Sequence, residues 1–182
     1  SYRLVGSEMC IRDSNMTLQL ILMRHAKSSW NKPVSDHERE LNGRGRASAR
    51  AMGNWLREND FLPKEALISS SERTRETFEG LEVKSTRVRF LEDLYHPSPE
   101  KLLCTLKSAQ EKTVLIISHN PACASFAEAM TKIPPAHKRF HDYPTCATWV
   151  ANIDKDHWSE VEFGLARTIA FAIPREVLNA DR

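Results

Sequence analysis

LILMRHAKS, at residues 20–28, is the stretch of sequence on which the predicted fold depends. Four apolar residues are followed by a cation and an imidazole, Arg24 and His25, and then by a polar turn. A short apolar run that ends in this way is typical of a buried strand. Open α/β sheets bind ligands at the carboxyl ends of their strands, so the pair is predicted to belong to a functional site.

A second junction of this kind follows the β-branched run at residues 113–118. The run ends in His119, Asn120 and Pro121, ahead of a segment rich in helix formers. Asn is favoured as a helix N-cap and Pro at the first helical position. His119 is therefore predicted to lie at a strand-to-helix junction, where free backbone N–H groups attract anions.

A third junction follows the short apolar run at residues 66–69. Serines and a glutamate ahead of helix formers mark a helix start there, which places Arg73 in or near the first turn. Two histidines and two arginines are thus predicted at three comparable junctions.

Apolar strand patterns alternate with helical patterns along most of the chain. Strands are predicted at residues 18–23, 66–69, 87–90 and 113–118, and helices at residues 43–58, 72–79, 99–108 and 121–130. This rhythm predicts an α/β fold, a three-layer α/β/α sandwich with a mainly parallel sheet. Further strands are predicted at residues 147–153, 158–163 and 168–173, with Pro174 ending the fold.

Length and composition favour one globular domain. The chain has 182 residues, of which 41% are apolar and 27% charged, and this is enough for one sizeable core. A net charge of +2 does not indicate a nucleic-acid partner. No apolar run approaches the roughly 18 residues of a membrane helix, so no membrane partner is expected.

The two ends of the chain differ in character. Residues 1–15 lack strand or helix periodicity and the apolar core of a secretory signal, so we expect them to be a non-native leader. Residues 16–182 are then a single domain. Its three cysteines have wide, unpatterned spacings, which favours reduced thiols and a cytoplasmic location. Cys123 follows His119 closely and is the one candidate for a catalytic cysteine, but a small buried residue is the favoured interpretation.

The three junctions, brought together, would form a pocket for a tetrahedral dianion such as a phosphoryl group. Guanidinium binds phosphate oxygens through paired hydrogen bonds, and neutral imidazole can attack phosphorus to form phosphohistidine. A histidine nucleophile needs no metal, and no cofactor is predicted. His137 and His141 share helical spacing but lack the glutamate and the third ligand of a zinc site.

These motifs resemble a known family in their order and approximate spacing. The set formed by RHA at residues 24–26, the segment at residues 69–77 with its central arginine, and SHNP at residues 118–121 resembles the histidine phosphatase superfamily, also called phosphoglycerate mutase-like. Its short SixA-like branch is matched further by RHAKSSW at residues 24–30, DHERELN at residues 36–42 and RTRET at residues 73–77. The resemblance covers almost the whole domain and implies a phosphoglycerate mutase-like fold.

The resemblance also implies roles for individual residues. It makes His25 the nucleophile and assigns Arg24, Arg73 and His119 to the clamp that holds the transferring phosphoryl oxygens. We expect Asn120, which follows His119, to contribute to phosphate binding.

The acid that protonates the leaving group is harder to assign. Larger relatives use a glutamate just after the third strand, where this chain offers Asp93 first and Glu92 second. For either carboxylate, a structural role at the start of a surface helix is at least as good an interpretation as catalysis. The segment that contains Asp36, His37 and Arg39 is predicted to be a polar loop. A role for it at the rim of the substrate pocket is the minority interpretation.

Chain length bears on the substrate. A short chain has no long insertion that could form a lid, which favours a protein-borne phosphoryl group over a small enclosed substrate. We therefore expect a metal-independent phosphatase that acts on phosphohistidine in a signalling or phosphotransfer protein. The alternative is a phosphatase of small metabolite phosphate esters. A non-enzymatic phosphate-binding module is disfavoured because all four core side chains are present.

Overall fold

The computed structural model describes residues 17–180, and the expected leader at residues 1–15 lies outside them. Within the described residues, six strands form one sheet: β1 (Thr17–Arg24), β2 (Glu65–Ser69), β3 (Arg87–Leu91), β4 (Thr113–Ser118), β5 (Thr148–Asp154) and β6 (Arg167–Ala172). The helices are α1 (Gly43–Glu58), α2 (Glu72–Leu81), α3 (Pro99–Lys107), α4 (Ala122–Met130) and α5 (Pro174–Ala180). Elements predicted up to residue 130 are all present, and their ends differ by at most two residues.

The sheet order is β3-β2-β4-β1-β5-β6. The four strands β3, β2, β4 and β1 pair in parallel, whereas β5 and β6 add antiparallel pairs at one side. Helices cover both faces, because one core cluster holds side chains of α3 and α4 and the other holds side chains of α1 and α2. The predicted three-layer α/β/α architecture with a mainly parallel sheet is confirmed.

Strand β1 contributes to both core clusters. Leu20 and Leu22 belong to the cluster on the side of α4, while Ile21 and Met23 belong to the cluster on the side of α1. A strand with helices on both faces reads as a continuous apolar run, because neither face meets water. This explains why residues 20–23 carry no polar residue.

Strand register brings the three predicted junctions to one edge of the sheet. Arg24, at the end of β1, pairs with Ser118, at the end of β4. On the other side of β4, Ile68 of β2 pairs with Ile117. The carboxyl ends of β2, β4 and β1 are therefore adjacent, as α/β topology favours for a ligand site.

Two predictions for the last third of the chain are wrong. Residues 158–163 are not a strand, because Trp158–Glu160 form a single 3-10 turn. The buried Trp158 and Val161 are three residues apart and both pack into the core cluster on the side of α3, which suits a turn rather than alternation. Pro174 does not end the fold but begins α5, a position that proline favours.

The described residues contain no helix that is long and apolar enough to cross a membrane. Their three cysteines are free thiols, of which Cys104 is exposed and Cys123 and Cys146 are buried. Burial raises the pKa of the Cys123 thiol to about 12, so the thiol stays protonated and is no nucleophile.

Gly45, in the first turn of α1, lies against the backbone that follows His25. A Cβ atom at Gly45 would be 2.1 Å from the carbonyl oxygen of Lys27, so no side chain fits there. Asn42 caps the helix by accepting a hydrogen bond from the Gly45 N–H, at 2.8 Å, and donates its own N–H to the Lys27 carbonyl. The N-terminus of α1 is thereby fixed against the loop that carries the histidine.

We predict that Gly45→Ala lowers the free energy of unfolding by about 1–3 kcal/mol, because the added methyl group overpacks a backbone contact. Urea unfolding monitored by circular dichroism measures this change. Gly43→Ala is the matched control, since a Cβ atom there meets nothing within 4 Å. Equal stabilities of the two variants would contradict the close contact.

Candidate active site

His25 lies directly after β1 and is only 6% exposed. Its backbone N–H donates to the carbonyl of Ser118 at 3.0 Å, which ties it to the end of β4. Its Nδ1 atom is 2.7 Å from the carbonyl oxygen of Ala26. A carbonyl only accepts, so Nδ1 carries the proton and Nε2 keeps its lone pair. The lone pair is what a nucleophile requires.

His119, the second imidazole, follows β4 and is 1% exposed. Its Nδ1 atom is 3.3 Å from Nη2 of Arg73, and its Nε2 atom is 2.7 Å from Oγ of Ser69. Guanidinium only donates, so Nδ1 is the acceptor and Nε2–H donates to the serine. The rings of His119 and His25 lie 5.2 Å apart between centroids.

Both imidazoles are neutral near pH 7. Burial lowers the pKa of His25 to about 3, and the positive charges of Arg73 and Arg24 act in the same direction. Burial also lowers the pKa of His119 to about 2, with further contributions from His25 and Arg73. The neutral form of His25 is the one that can attack an electrophile.

Two arginines flank the histidines. Arg24 donates from Nη1 to the carbonyl of Tyr143 at 3.1 Å, whereas Arg73 is 2% exposed and donates to Asp36. The Nε atoms of both arginines are buried and find no hydrogen-bond partner among residues 17–180. Buried guanidinium donors without partners are costly, and an anion in the pocket could satisfy them.

Asp36 lies in the site, although the sequence predicts for it chiefly a place in a polar loop. Its Oδ2 atom accepts from Nη2 of Arg73 at 3.0 Å and from the hydroxyl of Tyr95 at 2.5 Å. Its Oδ1 atom accepts from Arg39, which is 8% exposed. Partial burial acts to raise the pKa of Asp36, but the hydrogen bonds from Tyr95 and Arg73 outweigh it and lower the pKa well below its usual range. The carboxylate is ionised and orients both guanidinium groups.

His96 is a third imidazole near the site, and no role for it is predicted from the sequence. Its Nε2 atom is 3.4 Å from Oδ2 of Asp36, and its ring centroid is 5.2 Å from that of His119. The backbone of His96 has φ = 50°, in the left-handed region that non-glycine residues seldom adopt. Such strain is frequent at functional sites.

These groups surround one pocket of about 340 Å³. Its lining includes all four predicted core side chains and also Asp36, Arg39, His96 and the exposed Trp30. From the sequence, a role at the substrate rim is only the minority interpretation of the loop with Asp36 and Arg39, and it is the folded chain that brings this loop against Arg73. A pocket of this size holds a phosphoryl group and part of its leaving group.

The other predicted site residues are placed less favourably. Asn120 lines the pocket, but its amide N–H groups donate to the carbonyls of Asp142 and Tyr143, and α4 begins two residues later, after Pro121. Its role in phosphate binding stays a prediction.

Asp93 and Glu92 are exposed and are not among the pocket-lining residues. Asp93 pairs with Lys101, and Glu92 accepts from the hydroxyl of Ser70. The acid role of either carboxylate therefore also stays a prediction. Among residues 17–180, no group of three or more His, Cys, Asp or Glu side chains could hold a metal ion.

Comparison with known proteins identifies the family to which this chain belongs. The model of the histidine phosphatase superfamily (branch 1) matches residues 20–95. An uncharacterized protein of Mycobacterium leprae is 32% identical over 163 residues, a match that covers 84% of this chain and all of the relative. This chain belongs to the histidine phosphatase superfamily.

Several solved structures have the same fold as this chain. A putative phosphohistidine phosphatase SixA from Nakamurella multipartitia has a TM-score of 0.75 at 23% identity, and the match covers 87% of this chain and 96% of that protein. A putative SixA from Agrobacterium tumefaciens has a TM-score of 0.69 at 25% identity, covering 86% and 98%. The protein histidine phosphatase SixA complexed with tungstate has a TM-score of 0.71 at 20% identity, covering 88% and 99%. The resemblance to the SixA-like branch is confirmed.

We predict that the free energy of unfolding rises with pH between about pH 5 and 6.5. In this window the unfolded chain binds protons at His25 and His119 that the native histidines, with pKa values of about 3 and about 2, do not bind. Each contributes up to about 1.4 kcal/mol per pH unit. Urea unfolding at a series of pH values measures the slope.

His119→Asn is expected to remove about half of this slope. The exposed His157, which lies far from the pocket lining, gives the control variant His157→Asn. A His119→Asn slope equal to that of the control would contradict the neutral, buried state of the histidine.

Proposed function

We propose that this phosphatase hydrolyses phosphohistidine in a protein, through a covalent phosphohistidine at His25 and without a metal ion. The observation that carries the proposal is the state of His25: a neutral imidazole with Nδ1 bonded to a carbonyl and no partner on Nε2 among residues 17–180, in a pocket that Arg24 and the buried Arg73 also line. A cytoplasmic location stays a prediction from the cysteine pattern.

The reaction has two displacements at phosphorus. In the first, the Nε2 lone pair of His25 forms a bond to phosphorus, while the bond to the leaving group breaks and the leaving group keeps its electron pair. In the second, water attacks phosphorus, the bond from Nε2 to phosphorus breaks, and inorganic phosphate is released. His25 then regains its lone pair.

Arg24, Arg73 and His119 hold the transferring group. The guanidinium groups offset the charge on the equatorial oxygens, and their fork of donors suits the geometry of a phosphoryl group. Asp36 holds the Arg73 guanidinium in place before substrate arrives. Because this orientation is built in advance, it costs little reorganisation during reaction.

A poor leaving group must be protonated as it departs. We assign the donation of this proton to His96. Asp36 cannot, because its carboxyl is ionised, and its Oδ2 atom orients the His96 ring instead. Imidazolium donates the proton in the first step, and neutral imidazole takes one from water in the second. Asp93 and Glu92 remain the carboxylate candidates from the sequence.

A protein substrate is supported by the rim of the pocket. Trp30 lines the pocket and is 78% exposed, with the Arg39 guanidinium 3.6 Å from its ring centroid. An exposed tryptophan supported in this way is typical of protein interfaces, where Trp and Arg are enriched. The names of the SixA relatives point to the same substrate class.

We predict that the purified protein dephosphorylates a phosphorylated histidine phosphotransfer domain and that base quenching during turnover traps acid-labile, base-stable phosphate on the enzyme. His25→Ala is expected to abolish both signals, because it removes the covalent route. Arg73→Ala is expected to slow turnover about a hundredfold, the effect of losing about 3 kcal/mol of transition-state stabilisation.

Arg50→Ala, at an exposed position of α1 outside the pocket, is the control and should keep the wild-type rate. Circular dichroism checks that each variant is folded. Rapid hydrolysis of small phosphomonoesters, together with no dephosphorylation of the phosphorylated domain, would favour a metabolite phosphatase instead. Trapped phosphate that survives in His25→Ala would refute the nucleophile.

We predict that His96→Asn slows the hydrolysis of phenyl phosphate about a hundredfold and that of para-nitrophenyl phosphate far less, because only the poorer leaving group needs an acid. Asn tolerates the positive φ of this position. Steady-state kcat values for the two esters measure the difference.

His37→Asn is the matched control, since His37 bonds to Ser70 and is not among the pocket-lining residues. The same loss on both esters would mean that His96 has a structural role only.

A further inference from the structure

A second depression in the surface, the basic groove, lies beside the active-site pocket. It is bordered by Lys27, Arg44, Arg139, Thr145 and Arg175, together with Pro174. Four of these residues are cations, and no carboxylate lines the groove. The chain as a whole carries a net charge of only +2, so this local excess of positive charge is not a property of the average surface.

The cations of the groove are largely uncompensated. Lys27, Arg44 and Arg175 are exposed, and their side chains form no hydrogen bond or ion pair with any residue between 17 and 180. Arg139 does pair, at 2.9 Å, with Asp142. Unpaired cations on one surface raise the local potential and attract acidic partners.

Not all cations of helix α1 are in this situation. Arg46 pairs with Glu76, and Arg57 donates to the carbonyl of Leu81. In the folded protein Arg44 alone among these three lines the groove.

The basic groove is continuous with the active-site pocket. Lys27 and Thr145 line both, so whatever fills the groove lies next to the site of reaction. The groove is also held firmly, because Gly45 packs α1 against the Lys27 backbone and α5 packs against α1. A substrate therefore meets a preformed surface.

We propose that the basic groove binds an acidic segment of the phosphoprotein whose phosphohistidine enters the pocket. This inference rests on the proposed function and names the feature by which the enzyme recognises its substrate. The groove also presents Pro144, Ile173 and Pro174 between its cations. Apolar contacts of this kind suit a peptide segment with Asp and Glu side chains better than a free inorganic anion.

The consequence is a separation of binding from chemistry. Exposed charges beside a binding site speed association and strengthen binding of an oppositely charged partner, and salt screens them. Arg44, Arg139 and Arg175 do not line the active-site pocket, so a small substrate that occupies only the pocket gains little from them.

The test compares wild type with the double variant Arg44→Ser/Arg175→Ser. The substrate is a phosphorylated histidine phosphotransfer domain that carries Asp and Glu residues beside its phosphohistidine. We expect KM to rise about tenfold at low salt with kcat unchanged, and the difference to shrink at about 0.5 M salt. The kinetics with para-nitrophenyl phosphate should equal those of wild type.

Two controls make the result specific. Arg50→Ser removes an exposed arginine of the same helix that does not line the groove, and it should keep the wild-type KM. Replacing the acidic residues of the phosphotransfer domain with Asn and Gln should raise KM for wild type and leave the double variant little affected.

Three outcomes would overturn the inference: a wild-type KM in the double variant, an equal rise in Arg50→Ser, or a matching loss with para-nitrophenyl phosphate. Failure of the proposed function has a different signature, because wild type itself would then leave the phosphorylated domain intact. Thermal unfolding of each variant confirms that these exposed substitutions keep the fold.

Discussion

The parallel hydrogen-bonded pairing of β1 with β4 is the constraint on which the rest of the site depends. It sets Arg24 opposite Ser118, and the His25 N–H bonds to the Ser118 carbonyl, so both histidines follow directly from paired strand ends. A slip by one residue would send each side chain to the opposite face of the sheet. Such a slip would also separate Arg24 and His25 from Ser118, so the site requires this register.

Burial also sets the chemistry of the pocket. It keeps the imidazoles neutral, while arginines remain charged in surroundings where most bases would lose their proton. The site thus combines an uncharged imidazole with fixed positive charge, a combination that suits the proposed attack on a phosphoryl dianion. Asp36 balances part of this charge and holds Arg73 and Arg39 in position. Its negative charge thereby offsets the repulsion between the two guanidinium groups.

The loop between α4 and β5 supports the same site from the other side. The Tyr143 carbonyl accepts hydrogen bonds from Arg24 and Asn120, and the Cys146 N–H donates to the carbonyls of Arg24 and His25. Tyr143 and Cys146 both have positive φ values, 49° and 62°, in a backbone that the buried Tyr143 ring anchors. The phosphatase thereby uses a strained loop to orient its first arginine, and the neighbouring Thr145 joins the pocket to the basic groove.

Local sequence was enough to predict the six strands and helices α1 to α4, because apolar periodicity is a property of neighbouring residues. Strand-end polarity also selected the four candidate core residues, which line one pocket in the folded chain. It failed for residues 158–163 and for Pro174, where a buried turn and a helix start depend on what lies beneath them. Only the tertiary structure brought in Asp36, Arg39 and His96. The contacts of Asp36 with Arg73 and of His96 with His119 join residues that lie 23 or more positions apart, and no local pattern encodes such contacts. The sequence by itself determined that a guanidinium and an imidazole follow a buried strand. The folded chain decided which groups surround them and that the imidazole is neutral, because burial and long-range contacts arise only in the tertiary structure.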